Sequence, residues 1–172
     1  MSSIEPALAT DGPSTLHIAD AISVFTRIDR ACVAELWDSY LDEGEAASGY
    51  AFRVYRNNGG RVLGFACFGP HPLTEGTFDL YWIAVDPAAR RQGVGRALLA
   101  QVEAEVRGQG GRLLVIETSS LPSYAPTRRF YESCGCRCEA VIRDFYAPGD
   151  DLVIFVKELV PRSGSLATSS TP

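Results

Sequence analysis

One junction, in which a strand, a glycine-containing turn and a helix follow one another over residues 80–99, constrains the fold of this chain most strongly. Its first six residues (LYWIAV) have the composition of a strand, and Asp86-Pro87 ends that strand because proline has no N–H for a sheet ladder. From Val94 onward, apolar residues recur at helical spacing, which predicts a helix with one face on a core. A buried-type strand over residues 112–118 comes next, so we predict a helical crossover between two parallel strands.

The turn at this junction has the residues of a phosphate site. The first N–H groups of a helix lack internal partners, and the helix dipole makes that end positive. Glycine at this point lets an anion approach the backbone, because it has no Cβ. We therefore predict an anion-binding turn, called the glycine turn below, with these members: Arg90, Arg91, Gln92, Gly93, Val94, Gly95 and Arg96.

Two common phosphate motifs do not match the glycine turn. A Walker A loop needs Gly-Lys-Ser/Thr, which the sequence lacks, and a dinucleotide fingerprint needs a third glycine where Leu98 stands. The pattern that remains, R-x-x-G-x-G over residues 90–95, resembles the acyl-CoA pyrophosphate motif of the GNAT superfamily of N-acetyltransferases. The alternative is an ordinary helix start with solvated arginines.

Composition and charge limit the classes of partner. The chain has 172 residues and a formal net charge of -5, which argues against nucleic acid or anionic membranes as partners. No apolar run is long enough to cross a bilayer, and the first residues lack the regions of a secretory signal, so we expect a cytoplasmic protein. The five cysteines are an odd number, which argues against a disulfide framework. The alternating Cys134, Cys136 and Cys138 have no histidine nearby, so we predict no metal site.

The remaining pattern predicts an α/β (α+β) domain over residues 16–160, between disordered segments at residues 1–15 and 161–172. Thr26 and Asp29 resemble a helix start, and Asn57-Asn58-Gly59-Gly60 predicts the turn of a hairpin. The predicted strands cover residues 16–25, 50–56, 61–69, 78–85, 112–118, 136–142 and 152–159, and residues 143–151 are a predicted connection. A short helix is predicted over residues 127–133.

This order of elements resembles the GNAT fold. The resemblance implies a mixed, mostly antiparallel sheet of six to seven strands, with helices on both faces and a splayed parallel pair in the middle. It also implies that the strand Ile83-Ala84-Val85 pairs through its backbone with the pantetheine arm of acetyl-CoA. Phe130-Tyr131-Glu132 matches the F-Y-E segment of the family. Tyr124 replaces an asparagine common in the family, and Thr127, where the family often has alanine, is counted among the cofactor-binding residues.

The implied activity is direct transfer of an acetyl group from acetyl-CoA to a primary amine of a small molecule or a protein, in a ternary complex. A phenol can donate its proton to the departing sulfur, so Tyr131 is the candidate acid. Asp79 matches the catalytic glutamate of histone-type members and, in a regular strand, shares a face with Ile83 and Val85. Glu117 matches the base of ribosomal-protein-type members, and we place it close behind Asp79.

Other interpretations stay open at this point. Either carboxylate could instead be a structural partner of an arginine. His71 is a third candidate for the base, although a loop histidine beside two prolines is more often simply exposed. The rival functions are a catalytically silent acyl-CoA-binding or interaction domain and a nucleotide-phosphate enzyme. The sequence does not name the acceptor, and it leaves a homodimer open.

Overall fold

Seven strands form one sheet in the computed structural model, which describes residues 2–160. The strands are β1 (Ser3–Pro6), β2 (Ala51–Arg56), β3 (Val62–Pro70), β4 (Thr77–Val85), β5 (Leu113–Ser119), β6 (Arg137–Ala147) and β7 (Asp150–Glu158), and they lie side by side in the order β1-β2-β3-β4-β5-β7-β6. The helices are α1 (Gly12–Ala21), α2 (Arg27–Glu43), α3 (Glu45–Ser48), α4 (Val94–Gly108) and α5 (Ala125–Ser133). No helix of the described part is long and apolar enough to span a bilayer.

Helices cover both faces of the sheet and enclose a separate core on each. The core under α4 and α5, on what we call the α4 face, includes Leu98, Val102 and Phe155. The core under α1 and α2, on the α2 face, includes Val33 and Phe65. The mixed sheet with helices on both faces is therefore confirmed, as is the predicted core-facing stripe of α4.

Local signals account for several of the element boundaries. The Thr26 hydroxyl accepts a hydrogen bond from the Asp29 N–H at 3.2 Å, and the Asp29 carboxylate accepts one from the Thr26 N–H at 2.6 Å. This reciprocal capping begins α2, with aspartate in the place usual for glutamate. In the predicted hairpin turn, the Asn57 side chain accepts from the N–H groups of Gly59 and Arg61, both at 3.0 Å.

The parallel pair in the middle of the sheet is joined for only part of its length. β4 and β5 pair from Thr77 opposite Leu113 to Leu80 opposite Ile116, and all other neighbouring strands are antiparallel. Beyond Leu80, β4 has no partner on its β5 side among the described residues. The splayed parallel pair is confirmed, and it leaves an open backbone edge along the second half of β4.

A β-bulge in β4 changes the direction of its side chains. Cys67 pairs with Trp82 and Phe68 with Leu80, so Tyr81 is an extra residue without a partner on β3. Leu80 lies in the core of the α4 face, and after the bulge Ile83 packs against that same core. The alternation therefore reverses at Tyr81, and the expectation that Asp79 shares a face with Ile83 and Val85 is wrong. Asp79 lies on the α2 face.

Residues 2–15 are ordered, contrary to the disorder predicted for them as part of residues 1–15. Ser3–Pro6 pairs antiparallel with β2, and Asp11 forms an ion pair with Arg56 at 2.6 Å. The predicted strand over residues 16–25 is also wrong. Ile18, Ala19 and Ile22 are buried, a spacing that places one helical face on the core, and residues 16–21 belong to α1.

The C-terminal hairpin is longer than the sequence predicted. β6 continues to Ala147, so most of the predicted connection over residues 143–151 is strand. The register shifts between Ile142 and Ala147, and Asp144 adopts φ +51°. Its N–H donates to the Asp151 carboxylate at 2.9 Å, which fixes this irregular stretch. The predicted disorder of residues 161–172 lies outside the described residues.

Candidate active site

The glycine turn leads from β4 into the first turn of α4. Gly93 precedes α4 with φ +81°, a left-handed conformation that favours glycine, and a Cβ there would meet nothing within 4 Å. No side chain caps this helix start, and its first turn contains no acidic residue. The first N–H groups of α4 therefore have no side-chain cap and no acidic residue in the first turn that would compete with an incoming anion.

The predicted members of the glycine turn lie together around the start of α4. The side chains of Arg90, Arg91 and Gln92 are exposed. Arg96 donates to the carbonyl oxygen and to the hydroxyl of Ser133, at 3.2 and 3.1 Å, and so ties α4 to α5. Gly95 has a packing role, because a Cβ there would lie 3.4 Å from the Phe130 ring.

The end of β4, the start of α4 and the helix α5 meet at Gly95. The same Cβ would lie 3.5 Å from a methyl group of Val85. Ile83 is half-buried beside this point, Ala84 is buried, and Thr127 is half-buried on the first turns of α5. The open edge of β4 therefore runs from the glycine turn toward the divergence from β5, and Phe130 borders it.

Tyr131 lies in the core of the α4 face. It is 5% exposed, and its ring packs against Phe130 and Phe155 at centroid distances of 5.4 and 5.7 Å. Its hydroxyl makes no hydrogen bond with any residue of the 2–160 range. Burial, with a smaller contribution from Cys136, raises the pKa of this hydroxyl well above its usual range. The phenol therefore stays protonated at neutral pH.

Glu117 and Asp79 lie on the α2 face of adjacent strands. Asp79 pairs with Val115, and Glu117 is two residues farther along β5 on the same face. Glu117 is exposed where the strands separate. Burial, then Glu117 and Asp150, raise the pKa of Tyr146 to about 12, so this tyrosine stays neutral beside two carboxylates.

The carboxylate of Asp79 is hydrogen-bonded to His71, the third candidate base of the sequence analysis. His71 Nδ1 lies 2.7 Å from Asp79 Oδ2, and the Asp79 side chain is 18% exposed. Tyr81 is also close: burial, followed by Asp79, raises its pKa to about 12. The proximity of two residues across the β3–β4 turn was the only sequence signal for this pair.

A hydrogen bond between distant segments closes one end of this region. The Tyr124 hydroxyl donates to the Val24 carbonyl oxygen at 3.0 Å, and Phe25 packs edge-on against Trp82 at 5.1 Å. The α1–α2 connection is thereby held over the splayed strands. No local pattern in the sequence could have indicated a contact between residues 100 positions apart.

The cysteines do not form a metal site in the described part of the chain. No group of three or more His, Cys, Asp or Glu side chains within residues 2–160 could hold a metal ion. Cys134 is half-buried, Cys136 is buried and Cys138 is exposed, as expected for residues along a helix end and an edge strand.

Comparison with known proteins finds similarity between this chain and the GNAT acetyltransferases. Residues 18–136 match the acetyltransferase (GNAT) family. The chain is 31% identical over 154 residues to the ribosomal protein bS18-alanine N-acetyltransferase of Escherichia coli strain K12, with 88% of this chain and 90% of that protein covered. The crystal structure of the Escherichia coli ribosomal-protein-S18-alanine N-acetyltransferase is 25% identical with a TM-score of 0.73, covering 96% of this chain and 99% of that one.

Two further solved structures resemble this chain over almost its whole length. A GNAT-family protein from Desulfovibrio desulfuricans is 43% identical with a TM-score of 0.88, covering 93% of this chain and 100% of that one. A protein from Salmonella typhimurium, solved with its cofactor acetyl-CoA, shares the fold at 22% identity and a TM-score of 0.71, covering 97% of this chain and 99% of that one.

Proposed function

This chain belongs to the GNAT family of acetyltransferases, and from that premise we propose that it acetylates the α-amino group of a protein or peptide. One observation carries the proposal. The strands β4 and β5 separate after Leu80 and Ile116, so a cofactor side on the α4 face and carboxylates on the α2 face adjoin one open strand edge. A protein acceptor is supported by the 31% identity to an enzyme that acts on the alanine of a ribosomal protein.

The α4 face has the features needed to hold acetyl-CoA, the acyl donor of this family. The uncapped N–H groups after Gly93 and the exposed Arg90 and Arg91 suit the pyrophosphate. The backbone from Ile83 to Val85 has no partner on its β5 side among the described residues, and this edge suits the pantetheine amides, which can add to it as a strand. When bound, acetyl-CoA supplies a thioester carbon that a neutral amine can attack.

The two faces of the sheet serve different steps: the α4 face protonates the leaving sulfur, and the α2 face receives the acceptor ammonium group. Tyr131, neutral and with no hydrogen-bond partner among the described residues, is available to protonate the departing sulfur. Glu117 and Asp79 place negative charge where an ammonium group enters from the α2 face. The acceptor therefore approaches from one face and the donor from the other, and they meet at β4.

An acetylation assay with matched peptides tests this function. A peptide with N-terminal alanine is compared with the same peptide blocked at its α-amine and carrying an internal lysine, and with small primary amines. We expect thiol release with the first peptide, and mass spectrometry to find the acetyl group on its α-nitrogen. Release with small amines alone would overturn the protein acceptor, and no release with any amine would indicate a silent acyl-CoA-binding domain.

A further inference from the structure

We propose that His71, oriented by Asp79, is the group that removes the proton from the acceptor amine. This role rests on the proposed acetyl transfer. His71 follows the end of β3, and Asp79 lies on β4 opposite Gly69. Their side chains meet on the α2 face, the same face on which Glu117 is exposed.

The hydrogen bond fixes which ring nitrogen is free. An ionised carboxylate can only accept, so His71 Nδ1, at 2.7 Å from Asp79 Oδ2, carries a proton. Nε2 then holds the lone pair of a neutral imidazole and can accept a proton. The backbone of His71 is also held, because its N–H donates to the Thr77 carbonyl at 2.8 Å and its carbonyl accepts from the Thr74 hydroxyl at 2.8 Å.

Accessibility separates the two members of the pair. The His71 side chain is 49% exposed, whereas that of Asp79 is 18% exposed. Other titratable groups lie beside the pair: burial first, and then Asp79, Tyr50 and Cys67, raise the pKa of Tyr81, and Tyr50 packs on Tyr81 at 5.3 Å. The imidazole is therefore the end that an incoming ammonium group can reach, and Asp79 is a positioning residue.

Chemistry also favours an imidazole over a carboxylate as the proton acceptor. Proton transfer is most efficient when the catalytic group titrates near the working pH, and histidine is the side chain that ordinarily changes charge between about pH 5 and 8. An ordinary carboxyl group has a pKa of about 4, so its carboxylate is a much weaker base toward an ammonium ion than an imidazole is. Glu117 then serves to attract and orient the ammonium group.

Acetyl transfer begins with removal of a proton from the acceptor ammonium group. His71 Nε2 takes one proton from the ammonium group, directly or through a water. The freed nitrogen forms a bond to the thioester carbon, the carbon–sulfur bond breaks, and Tyr131 gives its proton to the sulfur that leaves with the electron pair. The nitrogen loses its second proton, which replaces the one from Tyr131 through solvent, and His71 returns its proton to water.

The pH profile of kcat/KM for a peptide with N-terminal alanine tests this role in H71Q, D79N and a matched control. The control is H17Q, since His17 is the other histidine of the chain and is exposed on α1. We expect H71Q to lose about 100-fold near neutral pH with unchanged acetyl-CoA affinity. The loss should shrink as pH rises, because more of the acceptor amine is already neutral. D79N should lose activity in the same pH-dependent way, and H17Q should match wild type.

A tautomer measurement gives a readout that does not need turnover. Nitrogen NMR of wild-type protein should find the His71 proton on Nδ1, and D79N should shift it toward Nε2. A wild-type Nε2–H tautomer, or an H71Q profile that overlays wild type while E117Q loses activity, would overturn the role of His71 alone. A wild-type protein that acetylates no amine would overturn the proposed function, and the role with it.

Discussion

The glycine turn and the polar groups of the α2 face are built in opposite ways. The turn comes from consecutive residues, 90–96, placed by one strand end and one helix start. On the α2 face, His71 comes from the β3–β4 turn, Asp79 from β4 and Glu117 from β5. The α1–α2 connection is held over them by the hydrogen bond from Tyr124 to Val24. The glycine turn, made of neighbours in sequence, depends on local backbone geometry. The arrangement on the α2 face depends instead on strand register and on packing between distant segments.

The largest effect should come from a charge placed inside the glycine turn. We expect Gly93→Asp to weaken acetyl-CoA binding on the order of 1,000-fold, because like charges in contact cost several kcal/mol and the left-handed φ strains a side chain. Calorimetric titration with acetyl-CoA measures the loss. Gly110→Asp is the matched control, since Gly110 has φ +78° and open space at the far end of α4. Equal binding by the two variants would remove the turn from the cofactor site.

The next effect concerns Tyr131, in the core of the α4 face. Tyr131→Phe keeps the ring and removes the acid, so kcat should fall about 100-fold while acetyl-CoA affinity stays the same. Because burial raises the pKa of this hydroxyl, wild-type kcat should show no alkaline loss from Tyr131 up to about pH 10. Tyr40→Phe is a control, since Tyr40 donates to the Ala7 carbonyl in the other core and should affect stability alone. Full turnover in Tyr131→Phe would make Tyr131 a packing residue.

A smaller effect is expected from the long-range hydrogen bond between Tyr124 and Val24, which should influence acceptor binding and not the acetyl transfer itself. Tyr124→Phe removes the hydrogen bond to Val24, worth about 1 kcal/mol, so the α1–α2 connection should loosen. We expect the KM for the peptide acceptor to rise about fivefold, with acetyl-CoA affinity unchanged. Tyr55→Phe on the α4 face is the control, because Tyr55 is half-buried against that core. A change in acetyl-CoA affinity instead would place Tyr124 in the cofactor region.

The smallest effect should come from the cysteines, which belong to neither region. Replacing Cys134, Cys136 and Cys138 together by alanine should leave kcat/KM within about twofold of wild type. The thermal stability should fall slightly, because Cys136 is buried and its loss opens a small cavity. Stoichiometric zinc in the purified wild-type protein, or loss of turnover in a folded triple variant, would contradict this expectation.

The same contrast explains what the sequence could predict. The capping residues Thr26 and Asp29, the Asn57 turn and the stripe of α4 carry local signals, and the structure confirms the elements they mark. The backbone of the glycine turn, with left-handed Gly93 leading into α4, also belongs to this group, whereas its role in binding the cofactor stays a prediction. Each of these features is decided within a few residues, where backbone preference and spacing act directly.

The features that the sequence did not predict depend on contacts between distant segments. β1 is a four-residue strand whose order comes from pairing with β2. The composition of the segment does not reveal this distant partner, and it therefore predicted disorder. The bulge at Tyr81 is defined only by the register against β3, and it moved Asp79 to the other face from Ile83. The partnership of His71 with Asp79 depends on the pairing of β3 and β4 next to their turn, where Asp79 lies opposite Gly69.

A structure with a bisubstrate analogue tests the central claim, that donor and acceptor approach from opposite faces and meet at the open edge of β4. The analogue joins the sulfur of coenzyme A, through an acetyl bridge, to the α-nitrogen of an alanine peptide. We predict the pyrophosphate on the N–H groups after Gly93, the bridge beside Ile83, and the peptide on the α2 face near Glu117 and His71. A peptide placed on the α4 face, or a pyrophosphate away from residues 90–96, would contradict the claim.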